Sequence, residues 1–314
     1  MLQLFRRKAQ APGLTGLALG DQYFTLAHIT RQRDQVLLDR CVQVDVRNPQ
    51  QLRESLPAQV AQLELQGSTC NAVLGARDYN LYLIEAPAVE PDEMRAAVRW
   101  KIKDLIDIPV EDAVIDIFPV PDDAFQGRSR MLYVVAAVKS KVEQLIELCK
   151  SAELELAAID IPEMVMRNIT AKFASDDRSL AFISMKSNGS TMNITRQGNL
   201  YLARKINTQL GPNAMDSLEW EPLRDRLVLE IQRSLDYYES QMAQAPVSRI
   251  MVAPRGADTE ALAASLNDAM SVPVAVLDYA ERLDSPADIS IETKRTGMLA
   301  IGAALRGDLL LAGG

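Results

Sequence analysis

One histidine and three cysteines make up the soft metal-ligand and nucleophile chemistry of this sequence, and neither type is placed to use it. His28 falls in the strand-like run Thr25-Leu26-Ala27-His28-Ile29 with no ligand pattern beside it, which marks a structural residue rather than a general base. Cys41, Cys70 and Cys149 are odd in number, widely scattered and free of any CxxC pairing. They predict buried reduced thiols, and neither a disulfide framework nor a zinc site. The acidic pairs Asp122-Asp123 and Asp176-Asp177 sit in loop-like stretches and read as solvating charge rather than a metal site. No GxSxG, Walker A, HExxH or GxGxxG pattern occurs. No catalytic residue and no metal ligand is assigned.

The 314 residues are 48% apolar and 24% charged, enough for about two packed domains. A net charge of -8 argues against a nucleic-acid partner, because binders of phosphate backbones carry a basic field. The longest uncharged apolar runs, such as Met131 to Val138, fall far short of the ~20 residues that cross a bilayer, so no transmembrane segment is expected. At the start of the chain Leu2, Leu4 and Phe5 precede Arg6, Arg7 and Lys8, which is not the order of a signal peptide. Residues 1–10 are expected to form a flexible tip, with contact to an anionic membrane surface as the alternative.

Two segments share one design. Leu14 to Ile29 reads as two β-rich runs meeting at Gly20-Asp21, and Leu180 to Arg196 as two more meeting at Asn188-Gly189, both hairpin signals. The repeat points to an internally duplicated α/β protein. Between them, Met94, Val98, Ile102 and Ile106 recur every four residues behind Pro91-Asp92-Glu93 and predict a helix closed by Ile108-Pro109. A strand over Asp112 to Val120, a polar loop over Asp122 to Arg130, a strand over Met131 to Val138 and a helix from Lys141 complete a compact inserted subdomain. Further on, Leu227, Ile231, Leu235, Tyr238 and Met242 predict a long amphipathic helix, ended by Pro246. A strand over Ser248 to Ala253, a helix near Thr259 and a strand over Pro273 to Tyr279 follow. The last pattern, near Thr296 to Gly307, is apolar almost all round and predicts a buried helix.

In order and in kind these elements resemble the PilM family of actin-like pilus-assembly proteins, nearest its branch serving mannose-sensitive haemagglutinin (MSHA) pili. The similarity rests on four segments in sequence: Leu105 to Phe118, Val134 to Glu143, Glu230 to Gln241 and Ala300 to Arg306. It implies an α/β, actin-like (FtsA/PilM, ribonuclease H-like) two-lobed fold with an inserted small α/β subdomain. The implied division is a first lobe over 11–80 and 157–178, the insertion over 81–156, a second lobe over 179–294 and a terminal helix over 295–314 returning to the first lobe. It further implies a cytoplasmic scaffold, peripheral to the inner membrane, that holds the N-terminal peptide of a PilN-like inner-membrane partner alongside other pilus platform proteins. The alternative is a diverged ATP-binding switch or slow ATPase.

The family's three nucleotide loops are degenerate here. Its G-x-D-x-G hairpin lies over Gly16 to Gly20 and puts Ala18 where an aspartate would hold metal through water; Asp21 lies one residue beyond. Its second hairpin begins D-x-G, which places Ser184 at the aspartate and Lys186 at the glycine. Lys186 could donate to phosphate as a point charge, with Ser187, Asn188, Gly189 and Ser190 adding donors. In the third loop Pro254 and Arg255 replace glycines that would lie against adenosine, and only Gly256 remains. The expectation is no cofactor, or weak ATP binding through Gly20, Ser184, Lys186, Ser187, Asn188, Gly189 and Gly256.

The partner-binding surface is expected on the insertion's first helix. With Met94, Val98, Ile102 and Ile106 facing the core, Trp100 is turned outward, and Arg99 and Lys103 beside it can meet acidic or carbonyl groups.

Overall fold

The computed structural model describes residues 13–32, 35–125, 129–174, 177–186, 189–211 and 214–306. In chain order it begins with strands β1 (Leu14–Leu19), β2 (Tyr23–Gln32) and β3 (Gln35–Asp45), helix α1 (Pro49–Gln62), strands β4 (Thr69–Val73) and β5 (Tyr79–Glu85), and helix α2 (Met94–Ile102). Strands β6 (Ala113–Pro119) and β7 (Met131–Val138), helix α3 (Lys139–Ser151), strand β8 (Glu155–Asp160) and helix α4 (Pro162–Phe173) follow. Next come β9 (Leu180–Lys186), β10 (Gly189–Arg196), β11 (Asn199–Ile206), α5 (Trp220–Ser240), β12 (Arg249–Val252), α6 (Thr259–Ala269) and β13 (Val274–Val276). Two short helices close the described chain, α7 (Ile291–Thr296) and α8 (Met298–Ala304).

The chain divides into two units, one from the described parts of Met1–Tyr79, Ala137–Val165 and Leu283–Gly314, the other from those of Asn80–Ala136 and Met166–Arg282. Each carries a five-stranded sheet of the same plan. In the first unit the order is β3-β2-β1-β4-β8, in the second β11-β10-β9-β12-β13. In both, the opening three strands meander antiparallel and the last two join in parallel. The duplicated hairpins of the sequence are thus the opening strands of two duplicated sheets.

Local chemistry starts and stops these elements. The Asn48 side chain accepts from the Gln51 amide at 2.9 Å with Pro49 at the first helical position, which nucleates α1. In the first unit α8 lies on β1 and β2, and Gly16 is the point of closest approach. A Cβ there would run into the Ala300 carbonyl and come within 2.9 Å of the Ala304 amide nitrogen. Asn71 of β4 also donates to the Ala303 carbonyl at 3.0 Å. The expected buried terminal helix is present as α8, while Gly297 separates it from α7.

In the second unit the three-stranded sheet β5-β7-β6 is covered on both faces. Val98 and Ile102 of α2 pack on Ile84, Leu132 and Val134, with Met94 and Ile106 at the margin. Phe118 and Tyr133 turn the other way, into the core built on Ile231, Leu235 and Tyr238 of α5. The Tyr133 hydroxyl donates to the Tyr201 carbonyl at 3.2 Å and accepts from the Ala203 amide at 2.9 Å, so it satisfies the outer edge of β11. Helix α2 stops at Ile102, earlier than the Ile108-Pro109 boundary; amides of Leu105 and Ile106 both return to the Ile102 carbonyl and tighten the chain into turns.

Candidate functional site

In open α/β sheets, ligands gather at the carboxyl ends of parallel strands. In the first unit those ends belong to β1, β4 and β8. Ala18 is buried between Thr25 and Val73 and supplies no side-chain oxygen for a metal. Beyond it, the phenol ring of Tyr23 packs against Gly20, since a Cβ on Gly20 would overlap that ring. Asp21 is turned aside into an exposed ion pair with Arg77.

Sequence reasoning missed two carboxylates at this edge. Asp160, the last residue of β8, pairs with Arg306 just past α8, and Glu163 in the first turn of α4 accepts from the Tyr79 hydroxyl at 2.5 Å. Burial holds Glu163 above the usual carboxylate range, although the Tyr79 bond pulls the other way. The one available signal was an aspartate ending an apolar run just before Ile161-Pro162. Both carboxylates are engaged by side chains of the same unit.

In the second unit, Ser184 of β9 is buried opposite Thr191 of β10. Lys186 and Gly189 face each other as the last pair of that ladder, while Ser187 and Asn188 lie outside the described residues. In the loop after β12 the Thr259 hydroxyl accepts from the amides of Arg255, at 2.9 Å, and Gly256, at 3.1 Å. Both amides are therefore already paired within the loop. Arg255 folds back, donating to the carbonyls of Leu210 at 3.3 Å and Gly211 at 2.9 Å. Its Nη1 and the Ser190 hydroxyl are buried with no hydrogen-bond partner among the described residues.

The α2 surface is of another kind. Trp100 is 72% exposed and Leu105, three residues past the helix, is 52% exposed. Lys103 lies over the indole, its Nζ 3.7 Å from the ring centroid, which makes one cationic and aromatic plate. Arg99 serves differently: its guanidinium donates to the carbonyls of Val110 and Ala113 and ties α2 to the start of β6. His28 is structural as expected, its Nδ1 2.9 Å from the Thr15 hydroxyl, which also meets Ser68 at 2.8 Å. Asp123 departs from the reading as solvated charge: Tyr201 and Arg196 both donate to it. Asp122 does remain at the surface, paired with Arg130, and Asp176 lies outside the described residues. Among the described residues no group of three metal-ligating side chains occurs, and no helix is long and apolar enough to cross a membrane.

No family model matches this sequence, and no curated protein matches it. Solved structures do. A chain of the "PilM-PilN type IV pilus biogenesis complex" superposes with a TM-score of 0.74 at 19% identity, covering 95% of this chain and 99% of that one. A Bacteroides thetaiotaomicron protein with an actin-like ATPase fold and unknown function gives 0.51 at 10% identity over 91% and 96%. The cytoplasmic domain of EpsL, an inner membrane component of the type II secretion system of Vibrio cholerae, gives 0.49 at 11% identity over 91% and 93%. The fold is the actin-like α/β fold.

Proposed function

We propose that this chain is a non-catalytic scaffold of a type IV pilus assembly platform, of the PilM kind and specifically of the MSHA-type branch. It binds the N-terminal peptide of a PilN-like inner-membrane protein at the cytoplasmic face and meets other platform proteins there. The observation that carries the reading is the likeness to a chain of a PilM-PilN complex over almost the full length of both. Loop chemistry supports it, since Ala18 offers no carboxylate, Tyr23 fills the space at Gly20, and Thr259 takes the amides of Arg255 and Gly256. The exposed Trp100 and Lys103 plate supports the same reading as a recognition surface, with Arg99 fixing the helix that presents it.

The deciding experiment is calorimetric titration with a synthetic N-terminal peptide of the PilN-like protein. Saturable binding is expected; absence of binding to the intact protein would overturn the reading. A second reading, weak nucleotide binding by a diverged switch, is favoured by one observation, the buried Arg255 Nη1 and Ser190 hydroxyl, which have no hydrogen-bond partner among the described residues. An anion beside either group would satisfy it, and titration with ATP tests this separately.

A further inference from the structure

Among the described residues the three sheets leave six edge strands, and five of them are guarded against further pairing. On β3 the Leu38 amide donates to the Asp284 carbonyl at 2.8 Å, and Asp39 is a bulge, because His28 pairs with Arg40 and Ile29 with Leu38. On β8 Ala157 is a bulge, since Cys70 pairs with Leu156 and Asn71 with Ala158. The β11 edge is met by the Tyr133 hydroxyl, and β13 is only three residues long. On β6 Arg99 donates to the Ala113 carbonyl at 3.3 Å, the Asp116 carboxylate accepts from the Ile117 amide at 3.0 Å, and Pro119 has no amide to offer.

Strand β5 has none of these devices. Its pairing with β7 is bounded by the Ala86 amide on the Arg130 carbonyl, at 2.7 Å, and by the Val138 amide on the Asp78 carbonyl, at 2.9 Å. The spans 78–86 and 130–138 are equal, so the two strands run antiparallel without a slip, and Asn80, Tyr82 and Ile84 turn their backbone groups toward β7. The amides and carbonyls of Leu81 and Leu83 therefore face away from it. No hydrogen bond among the described residues meets them, while the Glu85 carbonyl on the same edge is taken by Lys101 at 2.8 Å. From Tyr79 to Ile84 the strand carries neither charge nor proline. It is also held from both faces, with Tyr82 and Ile84 packed on the α2 side and Leu81 and Leu83 against the core built on α5. The free edge is thus preformed.

We propose that β5 is a strand-addition site, where an extended partner segment bonds to the Leu81 and Leu83 backbone and sets acidic side chains at the Glu85 end, beside Lys101. This rests on the reading of the chain as a peptide-holding scaffold, and the segment is the N-terminal peptide of the PilN-like protein. Backbone bonds supply affinity in this mode, and alternate side chains supply specificity. Charge selects the occupant. Over Met94 to Lys103 helix α2 carries Arg95, Arg99, Lys101 and Lys103 and no acid, in a chain of net charge -8. Arg95 is paired with Asp116, but Lys101 reaches the β5 edge itself. Antiparallel pairing with β5 of a second copy would set two such basic helices on one face of the joined sheet, where they repel; an acidic strand is attracted.

The test is amide exchange, followed by NMR on the intact protein with a saturating excess of the synthetic N-terminal peptide. The Leu81 and Leu83 amides should slow by about tenfold, the effect of one new hydrogen bond, while Tyr82 and Ile84, already turned toward β7, should change little. Binding that leaves Leu81 and Leu83 unprotected would overturn strand addition and leave the scaffold reading standing. No binding at all would overturn both. Slowing of the same two amides without peptide, as protein concentration rises, would assign the edge to a second copy instead. Lys101→Gln keeps a donor for the Glu85 carbonyl and removes the charge, so it should weaken binding about threefold. Unchanged affinity in that variant would overturn the acidic assignment.

Discussion

Asp123, in the loop leaving β6, accepts a hydrogen bond from the Tyr201 hydroxyl at 2.8 Å and is held by the guanidinium of Arg196, although these partners stand 78 and 73 residues further along the chain. Burial alone would raise its pKa, but the bonds from Tyr201 and Arg196 outweigh that and hold it below the usual aspartate range. A depressed native pKa contributes stability above the unfolded value, which is lost as pH falls through the native one. Asp123→Asn should cost about 1 kcal/mol at neutral pH, the partial exposure of the pair keeping the loss modest. Urea unfolding of both proteins should show the gap closing as pH falls below the usual aspartate range.

Gly16→Ala places a methyl group into the backbone of α8, where neither partner has a flexible end to yield. Overpacking of this kind should destabilise by about 3 kcal/mol. A denaturant midpoint within error of the parent would show that α8 does not sit on β1 as described.

Tyr133→Phe removes the hydroxyl that serves both the Tyr201 carbonyl and the Ala203 amide. Leaving those groups unpaired should cost about 1–2 kcal/mol and speed hydrogen exchange at Ala203. Unchanged exchange there would mean the β11 edge has another source of protection.

Trp100→Ala should weaken capture of the partner's N-terminal peptide by about 2 kcal/mol, and its 72% exposure predicts an unchanged unfolding midpoint. Lys103→Ala should weaken capture less. Arg99→Ala should lower stability instead, since its guanidinium holds two carbonyls of the following segment. Full capture by Trp100→Ala would move the recognition surface elsewhere.

Magnesium-dependent ATP hydrolysis should be negligible and ATP affinity weak. Micromolar or tighter binding by calorimetry would contradict this. Should weak binding be measured, Arg255→Ala and Lys186→Ala are expected to reduce it, and indifference of both would place the anion away from these loops.

What the sequence determined by itself is what depends on neighbours along the chain. Hairpin residues at Gly20-Asp21 and Asn188-Gly189, a four-residue apolar period from Met94 and an all-apolar terminal helix each act within a few residues, so the two duplicated sheets, α2 and α8 were legible. The same period turned Trp100 outward, because helix geometry alone separates it from Val98 and Ile102. Polar or weakly patterned elements such as α1 and β3 left little such signal. Only the tertiary structure decided which distant groups meet: Gly16 with Ala300, Cys41 with Thr293, Asp123 with Arg196, Tyr133 with Ala203. A glycine, a thiol or a carboxylate carries no record in its local sequence of the group it will face. The partner is chosen when apolar burial drives the sheets and helices into register, and each polar group must then be satisfied by whatever that packing has brought within reach.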